Sequence, residues 1–222
     1  VDGSVRAPLI FRFKFGDGQR TRVLTVSFFD AAGEDMNSLS SMSLYNRYIC
    51  HADGIIFLLD PLQIPSVRSE LAAANLPKED SSVNPEHIIE NLRTLFEQEL
   101  HMTAEQKIKV PVAFALSKLD ALKPILLPDS VLRDPSRHRG QLDLTDVQAV
   151  HTEIANYLDE WIHPAFMHGI RHEFAAYSFF ALSSFGEQPV GKHLSMITPF
   201  RVEDPFLWLL YKLRFIDGKR AW

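Results

Sequence analysis

Val110-Pro111-Val112-Ala113-Phe114-Ala115-Leu116-Ser117-Lys118-Leu119-Asp120 opens as an apolar run without period-two alternation and then turns abruptly polar. That is the pattern of a short strand covered on both faces, as in a parallel sheet. Gly54 to Leu59 and Phe174 to Leu182 repeat it. Helical signals fill the intervals. Asn84-Pro85-Glu86 offers a capping side chain, a first-turn Pro and an acid that complements the helix dipole, and Ile88, Leu92, Leu95, Phe96 and Leu100 follow on one face. Thr145 or Asp143 opens a second helix with the stripe Val147, Val150, Ile154, Leu158 and Trp161. Asp204-Pro205 opens the last, running through Leu209, Leu210 and Leu213 to Asp217-Gly218, and a shorter helix is expected from Ser38 to Ile49. Ahead of all these, Pro8 to Phe15 alternates apolar and basic side chains and Gly16-Asp17-Gly18 separates it from the β-branched and aromatic run Arg22 to Phe29, which predicts a β-hairpin. The order of elements calls for an α/β fold: a mostly parallel sheet with an antiparallel hairpin edge and helices on both faces, a three-layer sandwich.

The 222 residues, 46% of them hydrophobic and 23% charged, suit one domain over 1–222 with a sizeable core. A net charge of -5 and a pI near 6.0 supply no overall basic field, which argues against nucleic acid as the main partner. Cys50 is the single cysteine, so a disulfide framework is excluded and a reducing, cytoplasmic setting is expected. No apolar run approaches the roughly 18 to 20 residues of a membrane span. The first residue is Val1 rather than Met, which suggests a start inside a longer gene product. Two Pro-rich insertions, 61–84 and 121–143, follow strands and precede helices, and so emerge at the carboxyl ends of the strands, where open α/β sheets hold ligands. Arg133, Arg137, His138 and Arg139 in the second insertion read as a solvated basic cluster.

Three strand ends carry the candidate chemistry. In Phe28-Phe29-Asp30-Ala31-Ala32-Gly33-Glu34-Asp35, Asp30 can reach a magnesium shell and Gly33 lets a backbone N–H approach a phosphate. In Ser117-Lys118-Leu119-Asp120, the carboxylate can accept paired donors from a flat ring while the Lys stem covers its face. Ser183 and Ser184, after Ala181-Leu182, end the next strand with small residues.

In this order the segments resemble the Ras-like G domain of P-loop GTPases, and more narrowly the bacterial double-GTPase-like families. The resemblance implies GTP or GDP with Mg2+ as ligands. Asp30 would hold the metal through water, Gly33 would meet the terminal phosphate, and Glu34 would stand where Ras-like proteins orient the attacking water. Ser117, Lys118 and Asp120 would recognise guanine, with Ser183 and Ser184 at the base oxygen. The phosphate loop is missing, because no Gly-x-x-x-x-Gly-Lys-[Ser/Thr] precedes the hairpin, and Gly186 to His193 matches it only up to a His where a hydroxyl is needed. The same arrangement implies a lost strand between the hairpin and the Gly54 strand, to be supplied by an upstream segment or by another chain. Two functions are therefore expected: a guanine-nucleotide-binding domain that hydrolyses GTP once its phosphate loop is supplied, or a non-catalytic pseudo-GTPase that acts as a protein-interaction or scaffold module.

Overall fold

The computed structural model describes residues 7–15, 22–30, 46–71, 76, 78, 85–187, 193, 194 and 196–220. Its centre is a parallel sheet of β3 (Ile55–Leu59), β4 (Val112–Leu116) and β6 (Tyr177–Ala181), with β4 in the middle. Every residue of β4 is buried. Because side chains alternate across a strand, Val112, Phe114 and Leu116 face one layer while Ala113 and Ala115 face the other. The larger side packs against α3 (Pro85–Leu100), α5 (Leu144–Trp161) and α6 (Pro164–Glu173) through residues such as Leu92, Phe96, Ile154, Leu158 and Ile170. The two alanines leave room for α7 (Asp204–Lys212), whose Trp208 and Leu209 lie over them with Phe180. The chain is thus a three-layer α/β sandwich.

The hairpin is present as β1 (Leu9–Phe15) and β2 (Arg22–Phe28), paired antiparallel with Phe11 opposite Val26. Among the described residues it pairs with no other strand. It meets the body through Phe206 on α7, whose ring lies 5.5 Å from Phe13 and 5.4 Å from Phe28. Gly16 to Gly18 and Asn84 lie outside the described residues, and of the expected 38–49 helix only α1 (Asn46–Cys50) lies within them.

Asp143 caps α5 by accepting from the N–H groups of Thr145 and Asp146, so the predicted stripe of that helix is buried in full. The last helix ends at Lys212, before the expected Asp217-Gly218, because Arg214 takes a left-handed conformation (φ 63°) and breaks the ladder. The insertion after β3 begins with a 3-10 turn at Pro61–Gln63 and α2 (Pro65–Leu71), and α4 (Leu119–Leu122) follows β4. Leu142–Asp143 forms β5, which pairs parallel with β7 (Gly218–Lys219), a contact that has no signature in the sequence. No helix among the described residues is long and apolar enough to cross a membrane.

The two edges of the sheet are finished differently. Along the outer edge of β6, the Phe179 N–H donates to Nδ1 of His151 on α5 at 3.1 Å, and the imidazole stacks on the Phe179 ring. Burial, with the charge of Arg171 beyond it, pushes the His151 pKa below 6.5. A ring that accepts with Nδ1 must be neutral there. Its contribution to stability is therefore present above pH 6.5 and is lost as pH falls below that value. His151→Leu should lose about 1–3 kcal/mol at neutral pH, from the unpaired Phe179 N–H, together with that acid-side slope, as chemical denaturation across pH would show.

Candidate functional site

The carboxyl ends of the three parallel strands gather several of the expected residues. Lys118, held in a left-handed conformation (φ 54°), places Nζ 2.6 Å from Oδ2 of Asp60, whose Oδ1 accepts from the Leu62 N–H. Ser117 donates its hydroxyl to the Leu59 carbonyl at 3.1 Å, which ties β4 to β3. Ser183, buried, donates to Oδ1 of Asp120 at 2.5 Å and accepts from the Gly186 N–H at 2.7 Å. Ser184 next to it is exposed. Asp30, also exposed, follows the end of β2, whereas Gly33 and Glu34 lie outside the described residues. The geometry therefore joins Ser117, Lys118, Asp120 and Ser183 on one sheet edge, and adds Asp60, to which the sequence had drawn no attention.

From this edge rises an arm. Ser183 and Phe200 form an antiparallel bridge, and the Thr198 N–H donates to the Phe185 carbonyl at 2.9 Å. The arm turns at Gly186 (φ +79°), where a Cβ would come within 2.0 Å of the Thr198 oxygen, so only glycine fits. Lys123 holds the turn from below by donating to the Gly186 carbonyl at 3.1 Å. The outer side chains of the arm are apolar and exposed: Phe185 at 45%, Met196 at 68% and Ile197 at 62%.

The base of the arm is locked by Arg201, whose side chain has no solvent exposure. Its Nη1 lies 2.9 Å from Oδ2 of Asp146 and 2.8 Å from Oδ2 of Asp204, and its Nη2 lies 3.1 Å from Oδ1 of Asp146. Its Nε donates to the Asp134 carbonyl at 2.9 Å. His138 completes the group: Nδ1 accepts from the Asp143 N–H, and Nε2 faces Oδ1 of Asp204 at 3.4 Å. That separation is too long for a good hydrogen bond, and among the described residues neither atom has another partner, so the attraction is ionic. Burial raises the Asp146 carboxyl, but its hydrogen bonds to Arg201 outweigh this and the net shift is downward. Burial works against the His138 cation, yet contact with Asp204 and the charge of Asp146 outweigh it against Arg201, and the net shift is upward from 6.5.

His138, Asp146 and Asp204 present ligand atoms within 4.8 Å of one another, a donor set that zinc accepts. Arg201 already bridges the two carboxylates. With His138 protonated, two negative and two positive charges balance, and the cluster is a buried salt lock. Of the basic cluster expected to be solvated in 121–143, Arg133, Arg137 and Arg139 are exposed, but His138 is turned inward. Arg133 also donates to the carbonyls of Lys123, Leu126 and Leu127, which folds the insertion onto the body.

Comparison with known proteins bears on the function. The chain is 27% identical over 223 residues to a protein of Mycolicibacterium smegmatis named as an ESX-1 scaffolding and assembly protein, SaeC; the match covers 92% of this chain and 54% of that protein. This chain thus spans about half the length of the relative. No protein-family model matches the chain, and no solved structure matches it.

These findings overturn the resemblance to Ras-like P-loop GTPases, and with it the description of the chain as a GTPase and GTP-binding domain. No GTPase family profile is met, and the relative carries a scaffolding name. The physical reason is visible in the residues. The motifs behind the resemblance are short polar turns at strand ends, which occur in many unrelated folds.

The lock makes a measurable claim. Arg201→Met strands two buried carboxylates and should cost about 3–5 kcal/mol by chemical denaturation. Because the His138 pKa is raised, its share of stability is full below pH 6.5 and is lost as pH climbs through the raised value. His138→Gln should remove that alkaline-side loss while leaving the acid-side slope of His151 in place.

Proposed function

We propose that this chain is a protein-interaction module of the scaffold kind, one that holds other proteins rather than transforming a small molecule. The observation that carries the reading is the arm after β6. Its apolar side chains Phe185, Met196 and Ile197 are exposed, while its base is fixed by the Ser183–Phe200 bridge and the Arg201 lock. Exposed apolar side chains that rise from a fixed base are what a partner surface can bury at a reduced ordering cost. The name of the relative, a scaffolding and assembly protein, supports the same reading. The pairing of Lys118 with Asp60 and of Asp120 with Ser183 suits a polar base that shapes the arm.

The triple substitution Phe185→Ser, Met196→Ser and Ile197→Ser tests this in the full gene product, expressed in its own cells. All three side chains are exposed, so the melting temperature should shift by no more than about 2 °C. Partners that co-purify in stoichiometric amount should fall by at least about tenfold, the loss expected when apolar interface contacts worth roughly 1.4 kcal/mol or more are removed. Partner recovery unchanged by the substitution, or GTP turnover by the intact gene product, would overturn the reading.

A further inference from the structure

Among the described residues the central sheet has one edge closed and one open. The closed edge is β6, where His151 takes the outward Phe179 N–H. At the other edge, the Ile55 N–H donates to the Pro111 carbonyl and the Leu59 carbonyl accepts from the Ser117 N–H, so residues 55, 57 and 59 turn their backbone groups toward β4. Backbone direction alternates along a strand, and the N–H and C=O of Ile56 and Leu58 therefore point away from β4. Among the described residues no strand lies on that side. Leu58 is 60% exposed, although parallel strands are ordinarily covered on both faces. Edges left free in folded proteins are usually guarded by a charge, a Pro or a bulge, and Ile55-Ile56-Phe57-Leu58-Leu59 has none of these.

The hairpin stands at the same margin. Phe206 and Leu209 are one turn apart on α7; the first touches the hairpin and the second packs on Gly54, the residue before β3, whereas Trp208 points to Phe180 of β6. On the hairpin face turned away from Phe206, Arg12 and Lys14 lie exposed opposite Thr25 and Val23, and the described part of the hairpin carries no acid, in a chain whose net charge is -5. An apolar acceptor edge thus stands beside a hairpin that presents two cations on one face.

We infer that the free edge of β3 accepts an extended segment of a partner protein, apolar at alternate positions and acidic between them, which pairs with the backbone of Ile56 and Leu58 and lays its acids toward Arg12 and Lys14. The inference rests on the scaffold reading and gives it a mode of recognition. Main-chain hydrogen bonds supply affinity in such strand addition, and alternate side chains supply specificity. A second copy fits less well, because pairing two β3 edges would bring two cationic hairpins to one margin.

The test uses the full gene product in its own cells with Leu58→p-benzoylphenylalanine, a photo-cross-linking side chain at the edge. The expected product joins position 58 to an extended, acidic and apolar stretch of another protein, identified by peptide mapping. The double variant Arg12→Glu and Lys14→Glu, confined to exposed positions, should cut that yield by at least about tenfold. A cross-link to a second copy, to another part of the same polypeptide or to a segment without acids would overturn the proposal, and so would no cross-link at all. If partners still co-purify while position 58 captures nothing, the acceptor edge alone falls. If nothing co-purifies, the scaffold reading falls with it.

Discussion

A guanidinium cut off from water must find its counter-charges and acceptors inside the protein, and Arg201 finds them on elements far apart in the chain. Asp146 comes from the first turn of α5, Asp204 from the first turn of α7, and the Asp134 carbonyl from the insertion after α4. Neither carboxylate is free to move without stranding a charge in a medium that penalises it by several kcal/mol. Both acids also sit at helix N-termini, where the dipole favours them, so the lock and the helix ends support each other. Arg201 itself is held at a positive φ of 53°, a conformation that an ordinary side chain adopts only when its surroundings over-determine it. One interaction thereby sets where α5 starts, where α7 starts, how the insertion folds down and from what base the arm rises.

Much of this architecture could be read from the residues, and the reasons are physical. Parallel strands buried on both sides cannot alternate, and Val112 to Leu116 does not; an amphipathic helix must place its apolar residues at helical spacing, and Val147 to Trp161 does. Both are local patterns enforced by burial. The salt lock has no such pattern, because Arg201 and Asp146 are 55 residues apart and each alone reads as an ordinary polar residue. His138 was misread, and the bonds of Arg133 were missed, for the same reason: a run of basic residues in a Pro-rich loop says nothing of the carbonyls and carboxylates that will meet it. Ser117, Lys118, Asp120 and Ser183 were legible as a strand-edge group, since topology alone brings the ends of parallel strands together. What they do was not legible from spacing, because short polar turns at strand ends serve structure as readily as chemistry, and here they bond to one another.

The unequal edges of the sheet connect fold to function. On the β6 side a helix was long enough to lie along the strand, and its His151 supplies the one acceptor that an outward N–H requires. Nothing equivalent among the described residues stands beside β3, whose sequence is as apolar as that of a central strand. A strand that reads as central but sits at an edge is a local conflict with the fold, and such conflicts tend to mark functional positions. The hairpin sharpens the point: two strands alone are marginal in water, and this pair is anchored by Phe13 and Phe28 on the Phe206 ring and, just past β2, by Phe29 stacked on Tyr48, while Leu9 and Phe11 stay exposed. Among the described residues, then, a buried four-charge lock fixes one side of the sheet while the opposite edge is apolar and unpaired: one half is rigid enough to position, the other is open enough to receive, and the proposed scaffold role would use both.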